Sequence, residues 1–338
     1  MEALHFMRLT KLVCLVLLCG MAAAQDLSTR PAGVTPQGAP KLPNSNPVYQ
    51  ALRNVTLGQE AFSVNGLVLQ RESTRFTFTS GTLCRLAPVN GKVTGAVFVG
   101  KGSFNLVPPP QATTEVRQIA LLTREGKVDE EFSELVLRFT DNTYDEVKQA
   151  TGATLAAGAA CPAAALEDFN KRFRKDLNFN VHGRILQDVL SDQPGGLFLA
   201  LIDGKRYSSR MLFYLDPHPF DNFYGSFVPE EVSLMTFNDN KWGIWASYHM
   251  ASCYSANQGG SAEKNSFWYP DRHAIDTTLE KSGKLIGKST TTIASNVDGL
   301  RVVPLSLFHT LRVDSVISDK ASRWITFRKR KKMILITS

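Results

Sequence analysis

The sequence predicts an α+β fold, mainly antiparallel β, from three observations. Short apolar runs alternate with polar residues through much of 60–110 and 197–318. Turn dipeptides, Asn90-Gly91 and Asp203-Gly204, separate such runs as hairpin connections do. Strands and helices do not alternate as they would in βαβ units, so a parallel nucleotide-binding sheet is not expected.

The elements follow in chain order. Asn46-Pro47 supplies a helix cap and a proline at the first helical position, so Val48 to Arg53 should be a short helix. Phe62, Val64, Leu67-Val68-Leu69, Phe76, Phe78, Val93 and Val97-Phe98-Val99 mark strands. Residues 132–140 mark another, after which Asp141 caps a short helix through Lys148. From Ala163 the period changes. Leu166, Phe169, Phe173 and Leu177 lie three to four apart, with Lys171, Arg172, Arg174 and Lys175 opposite them, which makes an amphipathic helix with a solvated basic face. Leu197–Ile202 and Met211–Leu215 form a hairpin, and Val232–Phe237 with Trp242–His249 form a second. A long hairpin joins Ala274–Leu279 to Leu285–Ala294, and strands continue at Leu300–Pro304 and Leu311–Ile317.

The 338 residues are 43% hydrophobic and 20% charged, enough to bury a core in about two domains. The formal charge of +7, with a pI near 9.1, suggests a nucleic-acid or anionic-membrane partner. Its distribution removes that suggestion. Residues 1–24 carry +1 and residues 321–338 carry +6, so 25–320 is formally neutral. A nucleic-acid partner is therefore not expected.

Arg8 and Lys11, the apolar run Leu12–Leu18 and Met21-Ala22-Ala23-Ala24 read as a secretory signal peptide over residues 1–24. The run is shorter than the roughly 20 residues of a spanning helix. The expected destination is periplasmic or extracellular. Residues 25–46, with four prolines, read as a linker. Cleavage would leave Cys84, Cys161 and Cys253, which allow one disulfide of unspecified pairing in an oxidising compartment.

Candidate chemistry is sparse. Gly283-Lys284-Leu285-Ile286-Gly287-Lys288-Ser289 has three residues between its glycines where a phosphate-binding loop has four, and a β-branched run follows it. A hairpin is expected there, and a turn or bulge at Gly100-Lys101-Gly102. Asp216, His218 and Asp221 could offer N and O ligands to a metal, but Pro217 and Pro219 favour a surface turn. His249 and Cys253 are four apart, without a visible third group to orient a nucleophile–base pair. His182, His273 and His309 complete the mature set, and none makes H-x-x-x-H. No C-x-x-C or G-x-S-x-G occurs. Phe220, Phe223, Tyr224, Trp242, Trp245, Trp268 and Tyr269 crowd the 213–270 region. They would serve either a glycan- or protein-binding face or the packing of a β core. No catalytic, cofactor-binding or metal-binding residue is assigned.

Asp271-Arg272-His273-Ala274-Ile275-Asp276-Thr277-Thr278-Leu279-Glu280, Gly287-Lys288-Ser289-Thr290-Thr291-Thr292-Ile293 and Leu300-Arg301-Val302-Val303-Pro304-Leu305 carry a resemblance. They resemble the first strands of the N-terminal β domain of the membrane alanyl aminopeptidase family of gluzincin zinc peptidases. Asn46–Arg53 and the 132–250 region are similar to an extra N-terminal region of secreted bacterial members. The resemblance implies a β-rich domain over 47–266, then the start of a β-sandwich or saddle-type domain over 267–320. That family's zinc ligands form H-E-x-x-H with a downstream Glu, and this sequence contains no such motif. No catalytic residue carries over, and no zinc is expected in this chain.

Residues 321–338 read as a basic tail around Arg328-Lys329-Arg330-Lys331-Lys332. One permitted back-translation of Arg323–Ile334, shifted by one base, gives an ordinary strand and an acidic turn, so an interrupted frame is expected. Three functions follow. The first is an exported peptidase-like protein, non-catalytic as written. The second is a secreted module that binds a protein, peptide or glycan through 213–270. The third is a membrane-surface protein with a polybasic tail.

Overall fold

The computed structural model describes residues 46–152, 154–155, 161–175, 181–191, 195–207, 210–218, 230–238, 241–255, 267–306, 311–318, 325–329 and 332–336. The expected signal peptide, the linker up to Ser45 and the polar stretch 256–266 lie outside the described residues.

Helix α1 (Pro47–Arg53) begins as its sequence predicts. The Tyr49 N–H donates to Asn46 Oδ1 at 2.9 Å, and Pro47 occupies the first turn, where it has no intrahelical N–H to lose. Strands β1 (Leu57–Arg71), β2 (Thr74–Leu86) and β3 (Gly95–Leu106) follow as an antiparallel meander. Asn90 and Gly91, with φ of 51° and 76°, turn the chain between β2 and β3. Then come α2 (Thr113–Thr123), β4 (Val128–Phe139), α3 (Thr143–Thr151) and β5 (Thr154–Leu155). Two outer helices, α4 (Ala163–Lys175) and α5 (Val181–Leu190), precede β6 (Phe198–Gly204), β7 (Arg210–Leu215), β8 (Val232–Asn238) and β9 (Lys241–Tyr248). Helix α6 (Ala251–Ser255) closes this part.

These nine strands form one antiparallel sheet in the order β5-β1-β2-β3-β4-β6-β7-β8-β9. The fold is α+β and β-rich, as the sequence predicts. The sheet is rolled. β2 and β7 stand four strand steps apart, about 19 Å in a flat sheet. Yet the Phe76 and Phe213 ring centroids are 5.5 Å apart. Gly81 and Gly100 face each other at the bend, and a Cβ on either would strike backbone within 2.2 Å. The Gly100-Lys101-Gly102 stretch is accordingly an irregular bend within β3, as expected from its two glycines.

The inside of the roll is packed with Phe62, Phe76, Phe78, Phe98, Phe104, Phe132, Phe198 and Phe213. Ile119 of α2 and Val147 of α3 join that core. Gln118 of α2 donates to the Ile244 and Trp245 carbonyls, satisfying part of the free edge of β9. The outer face is covered by α1, α4 and α5 through Leu52, Phe169, Phe173, Ile185 and Leu186.

Glu130 shapes the β6–β7 connection. It is buried, and its carboxylate accepts the N–H groups of Glu131, Lys205, Arg206 and Tyr207. The turn is therefore longer than Asp203-Gly204 alone predicts.

Further strands follow the large sheet. β10 (Trp268–Leu279) and β11 (Leu285–Ser295) form the expected long hairpin, with the phosphate-loop-like residues Gly283–Ser289 in its turn and returning strand. β12 (Val302–Ser306) inserts Val302 among the residues of the outer-face core. The strand expected over Leu311–Ile317 does not form; the segment holds only a bridge at Ile317. β13 (Ile325–Lys329) and β14 (Lys332–Ile336) supply the pairing instead, with β14 between β12 and β13. Arg328 and Lys329 thus end β13 and Lys332 begins β14, so the basic stretch joins the two strands of a hairpin whose remaining residues are mostly β-branched or apolar.

Candidate functional site

Asp216 leaves β7 and is fully buried. Its N–H donates to the Glu231 carbonyl at 2.8 Å, which aligns the end of β7 with the start of β8. Arg184 of α5 grips its carboxylate with both ends of the guanidinium, Nε to Oδ2 at 2.8 Å and Nη2 to Oδ1 at 2.9 Å. Arg184 Nη1 also pairs with Asp188, the Thr140 hydroxyl donates to Asp188, and the Tyr214 hydroxyl donates to Asp216 at 2.9 Å. Burial alone would lower the Arg184 pKa; the charges of Asp188 and Asp216 outweigh it and hold the guanidinium above its ordinary value. Burial, reinforced by Asp216, pushes the Tyr214 hydroxyl well above its usual range. The group is a closed ionic centre that ties helix to sheet.

Asp216 therefore sits in a buried ion pair, not in a solvated surface turn. The His218 N–H donates to Asp216 Oδ1 at 3.0 Å, and its ring stacks on Phe267 at 4.4 Å. Asp221 lies outside the described residues. Pro217 and Pro219 favour a surface turn on local grounds, but Arg184, 32 residues upstream, supplies the counter-charge that draws Asp216 inside.

His249 has a partner that its local sequence does not reveal. Its Nδ1 lies 2.8 Å from Glu231 Oε2, and the Glu231 side chain is fully buried. The register Val232↔Tyr248, extended by one rung, brings the two residues together. A carboxylate orienting an imidazole is the support a general base needs. Burial, and then the Glu231 charge, push the Cys253 thiol on α6 above its ordinary value. The other two mature cysteines, Cys84 and Cys161, form a disulfide that closes 77 residues of chain. His182 is buried in α5, His273 Nδ1 lies 3.0 Å from the Thr291 hydroxyl, and His309 lies outside the described residues. Among the described residues, no three His, Cys, Asp or Glu side chains are grouped to hold a metal ion.

The aromatic-rich region divides. Phe213, Tyr214, Phe237, Tyr248 and Phe267 are buried. Trp245 packs against Tyr207 and donates to the Thr236 hydroxyl at 2.8 Å, and Trp268 packs beside Val303. Phe220, Phe223, Tyr224 and the Trp242 side chain lie outside the described residues. Tyr269 alone of the named aromatics within the described residues is well exposed.

Exposure is instead concentrated in the β10–β11 ribbon. Its ladder runs from Trp268↔Ser295 to Leu279↔Leu285, interrupted by a bulge at Asp271. These two strands form a sheet of their own. Ile275 is 70% exposed and Leu279 71%, with Leu285 and Ile286 also open to solvent. A two-stranded ribbon is marginally stable alone, and its open edges are templates for another strand.

No family model, curated protein or solved structure matches this chain.

The candidate site is therefore assigned from geometry alone, and the ribbon is the strongest feature. Its apolar side chains are exposed in series, whereas the Arg184 and Glu231 groups are enclosed and already partnered. Among the described residues, no helix is long and apolar enough to cross a membrane.

Proposed function

We propose that this chain is an exported interaction module that works by docking through the β10–β11 ribbon, without catalysis of its own. The exposure of Ile275 and Leu279 on an unpaired ribbon carries the reading. The Cys84–Cys161 disulfide supports export, because such bonds persist in oxidising compartments. The binding surface moves from the aromatic-rich 213–270 region to 268–295, since many aromatics of the former are core.

The test compares the intact chain with one in which 268–295 is replaced by a short Gly-Ser linker. The intact protein should be retained on a cell-envelope fraction. The ribbon-less protein should not be retained, while its near-ultraviolet circular dichroism still reports a packed aromatic core. Equal retention of the two would overturn the reading.

A second reading keeps the chain beside the membrane alanyl aminopeptidase family. It is favoured by β10, β11 and β12 falling on the segments that carry the resemblance. The residues of this chain do not fit that family's zinc. H-E-x-x-H is absent from the sequence, and His182, His218, His249 and His273 belong to separate elements and connections. No step is assigned to a metal. Zinc-dependent aminopeptidase turnover by the pure protein would contradict both readings.

A further inference from the structure

Resting on the docking role of the ribbon, we propose that its occupant is a second copy of this chain, paired antiparallel through β10 about a two-fold axis at Ala274. The charges on β10 select this arrangement. Arg272, Ala274 and Asp276 share one face of the strand, because side chains alternate with period two. Within the chain Asp276 lies across from Lys288, whereas Arg272 lies across from the uncharged Thr292.

A two-fold axis normal to the sheet keeps each face with its like, so it passes through a residue. An axis at Ala274 sets Arg272 of each copy opposite Asp276 of the other. Asp276 then has Lys288 on one side and the second copy's arginine on the other. An axis at His273 sets Arg272 against Ala274. One at Ile275 sets Arg272 against Thr278, and one at Asp276 sets that carboxylate against itself. Only the Ala274 register pairs Arg272 with Asp276, the two charges of the regular ladder; Asp271 lies in the bulge. Opposite charges directly across a ladder stabilise it, and like charges destabilise it.

The β11 edge offers no such match. Leu285–Ser295 contains Lys288 and no acid, so pairing with itself leaves the lysine uncompensated. The bulge at Asp271 and the missing N–H of Pro270 end the regular β10 edge on one side. The regular edge is thus Arg272–Leu279, and about the Ala274 axis Arg272–Asp276 of the two copies pair within it. It continues from one hairpin into the next, making a four-stranded sheet without a free β10 edge.

Charge-reversed full-length chains test the pairing. R272D and D276R should each sediment as monomers where the unaltered chain dimerises, with the dimer weakened at least about tenfold. Mixed one to one, they should form a heterodimer, because the doubly acidic strand of the first then faces the doubly basic strand of the second. In a C253S background, A274C should oxidise to a disulfide-linked dimer and T278C should not. A monomeric unaltered chain at all concentrations, or a dimer indifferent to these charges, would overturn the pairing. Envelope retention through the ribbon by a purely monomeric chain would leave the docking role standing and remove only the second copy. Loss of both would remove both.

Discussion

Arg184 and Asp216 form a fully buried, two-pronged ion pair, 2.8 Å and 2.9 Å, that joins an outer helix to the end of β7. Removing one partner leaves the other buried without its counter-charge, at a typical cost of about 3–5 kcal/mol. Arg184→Met should be the more damaging change, because it leaves Asp188 and Asp216 together without their cation. Denaturant midpoints check this; an R184M protein as stable as the original would contradict it.

Arg138 is the opposite case. It is buried on β4, with Nε donating to the Thr94 carbonyl at 3.0 Å, and no carboxylate of the described residues pairs with it. Burial pushes its guanidinium down to about 9. Because burial holds the folded value below the unfolded one, the unfolded chain binds more protons between the two, and this group's penalty on folding fades as pH rises above about 9. Arg138→Met should therefore stabilise the protein at neutral pH by about 1 kcal/mol. The Thr94 carbonyl keeps its bond from the Phe139 N–H at 3.1 Å. A midpoint lowered in R138M would contradict this.

Glu130 replaces water for four backbone N–H groups at the β6–β7 turn. Glu130→Ala should cost about 2 kcal/mol or more. Hydrogen exchange should accelerate locally at Lys205, Arg206 and Tyr207. Unchanged protection of these amides would show that the carboxylate does not hold the turn.

The Cys84–Cys161 bond closes 77 residues, so the chain-entropy relation puts its removal at about 4.5 kcal/mol. Paired C84S and C161S substitutions should lower the thermal midpoint, and reductant should do the same to the unaltered protein. Insensitivity to reductant would contradict a formed bond.

Local signals in the sequence carry far. The Asn46 cap, the Asn90-Gly91 turn, the amphipathic helix from Ala163 and the long hairpin to Ala294 all depend on neighbouring residues, and all are present. Helix α5 escapes sequence reading because its polar residues are buried too. His182, Arg184, Gln187 and Asp188 obscure the apolar stripe, and the ionic partner Asp216 is remote. The rolling of the sheet depends on Phe76 meeting Phe213 across four strand steps, which no local period reports. The Glu231–His249 pair is closer to legible. Extending the recognised hairpin from Val232↔Tyr248 by one rung finds it.

The central claim, that the ribbon is a contact surface, is tested most directly by a photo-crosslinking side chain at Leu279. The control is the same group at Val68, an exposed position on the rolled sheet. In the full-length protein, position 279 should yield a discrete crosslinked species of doubled mass, and position 68 should yield none. No adduct from 279, or equal adducts from both positions, would contradict the account.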